Sequence, residues 1–519
     1  MNKQYDILKN EIEDFRKLGH KFLEKHISVG DFKSKSGGMG VYAQRGGQSF
    51  MIRLRTNSGL LPLEHLKLIN SFIDSYDIKN IHLTTRQAVQ LHNLGIDDVC
   101  DIMSVALDNG LYTRGGGGNF PRNVALSPMT GVEKNEAFDA TEVANAISKY
   151  LIDQITEYKL PRKLKISVSS SSKDTANSTI NDFGFLGKVD KNGVPYFDLY
   201  IAGGLGNNPE LSIKYPNKVN LNEVLYYIEA MVNLFMAEGD YTNRAKARTR
   251  YIPKRMGVEA FLQCFETHLQ KVKNNKNLTL NLNIIPSKTQ TSYSHKLQET
   301  PYLIPQRQDG LYTVIVHPTC GILKSSDYKL LVDFISQNNN CEARLSMDEN
   351  IYIRNLDEQQ AIKLIQLTDS FNAHNKIQQS LSCIGVPTCQ IGIEESQMLV
   401  KNILNHLLEA NINEQYLPLI HVSGCQNSCA RHQVAELGFV GGKRKVGDTL
   451  ESVFTVFVGG KVKEYESKIG SPVGAIIARN IPSFIEELAN VLNSKQLQFV
   501  DFYKTNPEEF NSLVKKYTI

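Results

Sequence analysis

Two distant stretches of the chain carry one pattern: FMIRLRTNSGLLPLEHLKLINSFIDSYDIKNIHLTTRQAVQLHNL and LYTVIVHPTCGILKSSDYKLLVDFISQNNNCEARLSMDENIYIRNL. Each opens with alternating apolar residues, the period of a half-buried strand. Each passes through a glycine into a helix-period stripe, in the first copy Leu63, Leu66, Leu68, Ile69, Phe72 and Ile73. Each closes on a strand pattern ending Asn-Leu. Gly59 to Asn93 and Gly321 to Asn355 are both 34 positions. Equal spacing with matched pattern predicts a duplicated β-α-β unit.

A second pair follows in the same order. ISVSSSSKDTANSTINDFGFLG starts at Ile166 and IHVSGCQNSCARHQVAELGFVG at Ile420. Val168 to Phe185 and Val422 to Phe439 are both 17 positions, and both copies lead to a strand closed by glycines, YFDLYIAGGLG at 196–206 and VFTVFVGG at 453–460. The chain reads as two homologous α+β halves. Aligned this way, Ser171 falls opposite Cys425 and Thr175 opposite Cys429. Thiols in one copy against hydroxyls in the other predict a single metal site, in the second half.

Composition narrows the classes. The 519 residues, 41% hydrophobic and 22% charged, are ordinary globular material and exclude a disordered chain. A net charge of +4 is too small to argue for nucleic-acid binding. No window approaches the ~20 apolar residues of a membrane helix. The start, MNKQYDILKNEIEDF, mixes charges and lacks a signal-peptide core, so a cytoplasmic protein is expected. The stretch to about residue 40 shows one amphipathic helix and a turn, SGGMG, and reads as an extension; a linker is expected near 271–310.

Eight cysteines are too sparse for a disulfide scaffold. Cys100, Cys264, Cys320 and Cys341 are scattered in apolar or mixed patterns and read as buried space-fillers. The other four form two tight pairs, Cys383/Cys389 in SCIGVPTCQ and Cys425/Cys429 in GCQNSCAR. Four thiolates from two loops hold either a structural zinc or an iron–sulfur cluster, and spacing alone leaves both open. The nearby Pro and Gly suit tight loops whose amides reach the sulfurs.

Basic residues recur at strand ends and glycine-rich turns. Arg53 and Arg55 share a face of FMIRLR, Arg86 lies in LTTRQ, and Arg114 and Arg122 flank the GGGG turn. Arg162, Lys163 and Lys165 lie in LPRKLKISV, the two lysines on one strand face. Charges on the core side of apolar strands are costly unless they meet anions. Together they predict a polyanionic ligand, an oxyanion substrate, or both. His92 sits beside this set on the QLHNL strand, and Asn427 reads as a loop-former inside the Cys425–Cys429 loop. AGGLG at 202–206 lacks the full dinucleotide fingerprint, so no nicotinamide or flavin site is expected.

With these motifs in place (FxxxGGMGVYAQR, FMIRLR, LTTRQ, NFPRNV, LPRKLK, CIGVPTC and GCQNSC followed by AELGFVGG), the chain resembles the sirohaem- and [4Fe-4S]-containing assimilatory sulfite and nitrite reductases from about residue 32 to about 460. The resemblance implies a pseudo-twofold α+β fold, with paired ferredoxin-like half-modules and two larger cofactor-enclosing lobes. The expected divisions are an extension at 1–40, modules at 41–118 and 301–378, a first lobe at 119–300, and a second, cluster-bearing lobe at 379–519. It implies that Cys383, Cys389, Cys425 and Cys429 hold the cluster, with Cys429 bridging to the haem iron. It implies catalysis by Arg53, Arg122, Lys163 and Lys165, and cofactor contacts from Arg55, Arg86, His92, Arg114, Arg162 and Asn427.

The reaction implied is six-electron reduction of sulfite to sulfide, the alternative being nitrite to ammonia. Nitrite reductases of this type tend to have Asn in place of Lys165 and Arg in place of His92, which favours sulfite. Sulfite reductases often have Arg where this chain has His82. The electron donor would be another protein, a ferredoxin or a flavoprotein reductase. The reading from another class is a binding protein stapled by a four-cysteine zinc site, without redox activity.

Overall fold

The computed structural model describes residues 3–287 and 294–519, so positions 288–293 of the expected linker lie outside the described residues. Among the described residues the strands form four five-stranded sheets. The duplication organises all four. Strands Phe50–Arg55, Asn80–Leu83 and Ala88–Leu94 recur as Tyr312–Val316, Glu342–Leu345 and Ile351–Leu356, and helix Leu63–Ser75 recurs as Ser325–Gln337, at an offset of 262 positions. Strand Ile166–Ser169 recurs as Ile420–Ser423 at an offset of 254. Backbone irregularities repeat too: left-handed Gln87, Asn93, Asp174 and Asn177 are matched by Glu349, Asn355, Ser428 and Arg431.

The two modules exchange strands. Leu60–Leu61 of the first pairs with Glu342–Leu345 of the second, and Ile322–Lys324 of the second pairs with Asn80–Leu83 of the first. Each exchanged strand starts after a glycine held at positive φ, Gly59 at 84° and Gly321 at 66°. A Cβ on Gly59 would lie 2.8 Å from Leu345 O, and one on Gly321 would lie 2.7 Å from Leu83 O. No other residue fits there without moving the partner backbone. The exchange covers a sheet edge in each module and gives both modules one shared core, from Val41 and Ile52 to Ile353 and Leu364.

The N-terminal stretch, expected as one helix and an arm, forms two helices, Lys3–Leu23 and Val29–Ser36. Both enter that core, with Phe22 stacked on Phe32 at 4.3 Å. Each lobe has its own core. No helix among the described residues is long and apolar enough to cross a membrane.

Gln87 and its counterpart Glu349 show how the symmetry is kept at the interface. Gln87 Nε2 donates to Leu126 O at 2.8 Å and Leu345 O at 2.6 Å, and its Oε1 accepts from Leu126 N. Glu349, 1% exposed, accepts from Ser382 N at 3.1 Å. Burial drives its carboxyl well above the usual carboxylate range, against the weaker pull of the Ser382 amide and Arg431. Burial thus favours the neutral form of Glu349, at a position its counterpart fills with a glutamine. A carboxyl raised in the folded state contributes stability below its ordinary range and loses it as pH rises toward the folded value. Glu349→Gln is expected to remove that slope, stabilising the protein at pH 8 relative to pH 5 by up to about 1.4 kcal/mol per pH unit crossed. Denaturant titrations of both proteins at the two pH values measure this; identical pH slopes would refute the neutral-acid assignment.

Candidate functional site: a four-cysteine centre facing a buried cationic set

The second lobe places Leu381–Ser382, Ile420–Ser423 and Leu437–Val446 side by side and parallel. Parallel strands open their loops at the carboxyl ends, where ligands gather. Cys383 directly follows the first strand, and Cys425 and Cys429 lie in the loop after the second. Gly424 N donates to Cys383 Sγ at 3.2 Å, and Asn427 Nδ2 donates to Cys425 Sγ at 3.3 Å. The amides of Ile391 and Gly392 donate to the Cys389 sulfur. Burial pushes the Cys383 thiol up to about 12, with Cys429 and Cys425 adding to the shift, and raises Cys389 and Cys425 in the same way. The Cys383, Cys389 and Cys425 thiols thus feel burial and their neighbours, and ionising them together needs compensating positive charge, which metal supplies.

Among the described residues no group of three or more His, Cys, Asp or Glu side chains is spaced to hold a single metal ion. A zinc tetrathiolate needs its sulfurs about 2.3 Å from one centre. A cubane spreads its four thiolates over separate irons.

The first lobe carries the same framework without thiols. Ser127, Ser171 and Thr175 follow the equivalent strands Ala125–Leu126 and Ile166–Ser169. Glu133 lies six residues after Ser127, as Cys389 does after Cys383. Thr175 Oγ1 donates to Ser127 Oγ at 2.7 Å, and Ser171 Oγ donates to Glu133 Oε1 at 3.2 Å. A hydrogen-bonded polar cluster fills the place that the second lobe gives to four cysteines. The sequence comparison found Ser171 and Thr175; Ser127 and Glu133 escaped it because that loop shares spacing without shared residues.

The basic residues converge from the module and the lobe of the first half of the chain. Arg122 N donates to Leu164 O at 2.9 Å, which sets Arg122 beside Lys163 and Lys165. Arg122 Nη1 donates to Gly117 O at 2.7 Å, and Arg53 Nη1 to Gly116 O at 2.7 Å. Arg55 is buried and reaches the same turn at Arg114 O. Arg86 donates to Ile166 O. Burial, helped by the neighbouring arginines, pushes Arg55 and Arg86 down to about 9 and Arg122 and Arg162 to about 10. It pushes Lys165 down to about 7 and Lys163 well below the usual lysine range, with Arg248 among the causes for both. Arg114 sits at the edge, tied by its Nε to Glu11 at 2.8 Å.

Arg53, Gln90 and His82 form a row across three strands in register. With its amide turned so that both ends find partners, Gln90 accepts from Arg53 Nη2 at 2.6 Å and donates to His82 Nδ1 at 2.8 Å. Burial holds His82 at about 4 and His92 at about 3, so both rings are neutral. Their centroids lie 6.1 Å apart.

Three arginines of this region were not singled out in the sequence. Arg248 grips buried Asp182 with Nε at 3.1 Å and Nη2 at 2.7 Å, and Asp182 also accepts from Lys165 N. Arg250 holds the 202–208 loop through Asn208 O and Asn207 O. Arg431 holds Met347 O and Asp348. Thr85 Oγ1 donates to Cys429 O at 2.8 Å and links the LTTRQ loop to the cysteine loop. Among the described residues Arg86 Nε and Arg250 Nη1 are buried without a partner, as are both ring nitrogens of His92. Four cysteines, three of them with amide-supported sulfurs, beside buried, under-satisfied guanidiniums fit a metal–sulfur cluster next to a polyanion.

The family models match this architecture part by part. The nitrite and sulphite reductase 4Fe-4S domain matches residues 117–273 and 373–497, and the nitrite/sulfite reductase ferredoxin-like half domain matches 42–108 and 304–370. The chain belongs to the nitrite and sulphite reductase family. It is an oxidoreductase, and the cofactors of its family are a [4Fe-4S] cluster and sirohaem. "Sulfite reductase [ferredoxin] 1" of Mycolicibacterium paratuberculosis is 25% identical over 84% of this chain and 81% of its own length. "Ferredoxin--nitrite reductase" of Synechococcus elongatus is 26% identical over 85% of each chain. The structure of Mycobacterium tuberculosis NirA protein superposes with a TM-score of 0.80 at 22% identity, covering 98% of this chain and 97% of that one, which supports the duplicated α+β fold.

Proposed function

We propose that this reductase acts on sulfite, converting it to sulfide with six electrons and six protons taken up overall. Cys383, Cys389, Cys425 and Cys429 would hold the cluster, and Cys429 would also couple it to the sirohaem. Arg55, Arg86, Arg114, Arg162, His92 and Asn427 would line the cofactors, with Arg248 and Arg250 added to that set. When bound, the cofactors would supply the single-electron chemistry that reduces the anion. The chain's own part is electrostatic. Arg53 and Arg122, anchored on the carbonyls of Gly116 and Gly117, present fixed positive charge to the oxyanion. Lys163 and Lys165 share that face, and their lowered pKa values suit them to give up protons as oxygens leave as water.

The observation that carries sulfite over nitrite is Lys165, a further cation on the substrate face where nitrite-specific relatives tend to carry Asn. His92, neutral and next to Arg53, supports the same reading. The donor is proposed to be a ferredoxin, since relatives at about 25% identity are named for it, and the compartment the cytoplasm. Steady-state assays with both anions test the choice: kcat/KM favouring sulfite is expected, and a large preference for nitrite overturns it. The absorption spectrum of the loaded protein is the second check. Haem bands plus broad cluster absorption are expected, and a colourless zinc protein would defeat the reductase reading.

A further inference from the structure

The AGGLG turn at 202–206 joins the lobes. Ala202, Gly204, Gly206 and Asn208 all stand at positive φ. Gly204 closes the turn on Glu210, donating to its carbonyl at 2.9 Å and accepting from its amide at 3.0 Å. The turn leaves the first lobe and meets the second through Gln433. Gln433 Oε1 accepts from Gly206 N at 3.1 Å, and its Nε2 donates to Gly206 O at 2.9 Å. Gln433 is buried and lies four residues after Cys429.

Two features hang on the clamped Gly206. On one side is the cysteine loop. A Cβ built on Gly206 would lie 3.8 Å from both Gln426 O and Asn427 O, and Asn427 is the residue that donates to Cys425 Sγ. On the other side is Arg250. The next two carbonyls, Asn207 O and Asn208 O, accept from its Nη2 at 2.6 Å and its Nε at 2.8 Å. Those bonds use two of the three guanidinium nitrogens and leave Nη1 buried, without a partner among the described residues. Nη1 lies 3.1 Å, and Arg248 Nη2 3.0 Å, from the place a Cβ on Gly204 would fill. A buried guanidinium N–H without an acceptor is costly unless an anion meets it.

The duplication supplies a comparison. At the offset of 254 the counterpart of Gln433 is Thr179. Gly470 N donates to Gln433 O at 2.8 Å, as Ser212 N donates to Thr179 O at 3.0 Å. Thr179 also reaches across the lobes, but to a hydroxyl, Ser467 Oγ at 2.7 Å. A hydroxyl pair can rotate, whereas an amide bonded at both ends to one backbone unit has a fixed orientation. The fixed clamp stands in the lobe that has thiols. We propose that Gln433 is a positioning residue: by clamping Gly206 it fixes the carbonyls of Asn207 and Asn208, and through them it aims Arg250 Nη1 at a sirohaem carboxylate in register with the cysteine loop. This rests on the reading given above, in which Arg250 lines the cofactors and the four cysteines hold the cluster.

The test compares the wild-type holoenzyme with Gln433→Leu, Gln433→Asn, Arg250→Gln, the double variant Gln433→Leu/Arg250→Gln, and Ser467→Ala, which breaks the contact to Thr179. The readouts are sirohaem release on dilution, followed in the visible spectrum, cluster iron content, and haem–cluster coupling by EPR. Gln433→Leu is expected to release sirohaem about tenfold faster or more and to weaken the coupling, with cluster iron retained. Gln433→Asn, one methylene shorter, should do so by less. The double variant should release sirohaem no faster than Arg250→Gln alone, because the two residues act in series. Ser467→Ala should match the wild type. Wild-type release from Gln433→Leu, or additive effects in the double variant, would overturn the positioning role. Equal release from Ser467→Ala would overturn it too, since that marks a general loosening of the lobes. If the wild-type protein takes up no sirohaem, the reductase reading falls instead, and hydrogen exchange in the cofactor-free protein decides the clamp. Faster exchange at 203–208 in Gln433→Leu supports it, and unchanged exchange overturns it.

Discussion

Cys429→Ser is expected to abolish reduction of both anions while leaving the protein folded. The backbone around Cys429 is held independently of its sulfur. Thr85 Oγ1 donates to its carbonyl, Ala430 N donates to Ser423 Oγ, and Arg431 N donates to Ser428 O. The other half of the molecule shows that this site accepts a hydroxyl, since Thr175 occupies the equivalent position and bonds Ser127. What the substitution removes is the soft thiolate. On the proposed assignment the same sulfur serves cluster and haem, so iron content, the haem spectrum and the EPR coupling between the two centres should change together. A loss confined to the about 10–100-fold typical of an outer-shell change, with the coupling intact, would demote Cys429 to a supporting residue.

The duplication was legible because spacing survives where residue identity does not. The offsets of 34 and 17 positions within each copy are preserved by strand and helix lengths that the shared cores enforce. The thiol–hydroxyl asymmetry was legible for the same reason. The strand exchange was not, since Leu60–Leu61 and Ile322–Lys324 are too short to show a period and their partners lie in the other copy. Helix Val29–Ser36 was missed because VGDFKSKS has little apolar stripe, although Ser28 accepts from Asp31 N as a capping residue. Arg248 and Arg250 were passed over because NRAKARTRY reads as a solvated charge run. Only the returning chain buries them against Asp182 and the AGGLG loop. Arg431 gave no signal either. It stands in a left-handed position that its counterpart fills with Asn177, a residue far better suited to it.

Lys165→Met is expected to lower kcat/KM for sulfite about 10²–10³-fold, the cost typical of removing one preorganised charge from a developing anion. Burial, then Arg86 and Arg248, hold this ammonium down at about 7 against the pull of Asp182. In the cofactor-free protein the unfolded chain keeps its proton up to the ordinary lysine value of 10.5 while the folded chain gives it up near 7. The unfolded state then binds more protons, so stability rises with pH across that window, and Lys165→Met flattens the rise. A bound polycarboxylate favours the charged form and moves the folded value upward. The alkaline limb of kcat/KM for the loaded enzyme is therefore expected above pH 7. Lys165→Arg separates charge from proton delivery, because a guanidinium stays protonated throughout. If Lys165 donates protons, the arginine variant keeps KM, loses kcat and loses the alkaline limb. If it only binds the anion, the arginine variant restores both constants and the limb persists, and the proton-donor role falls.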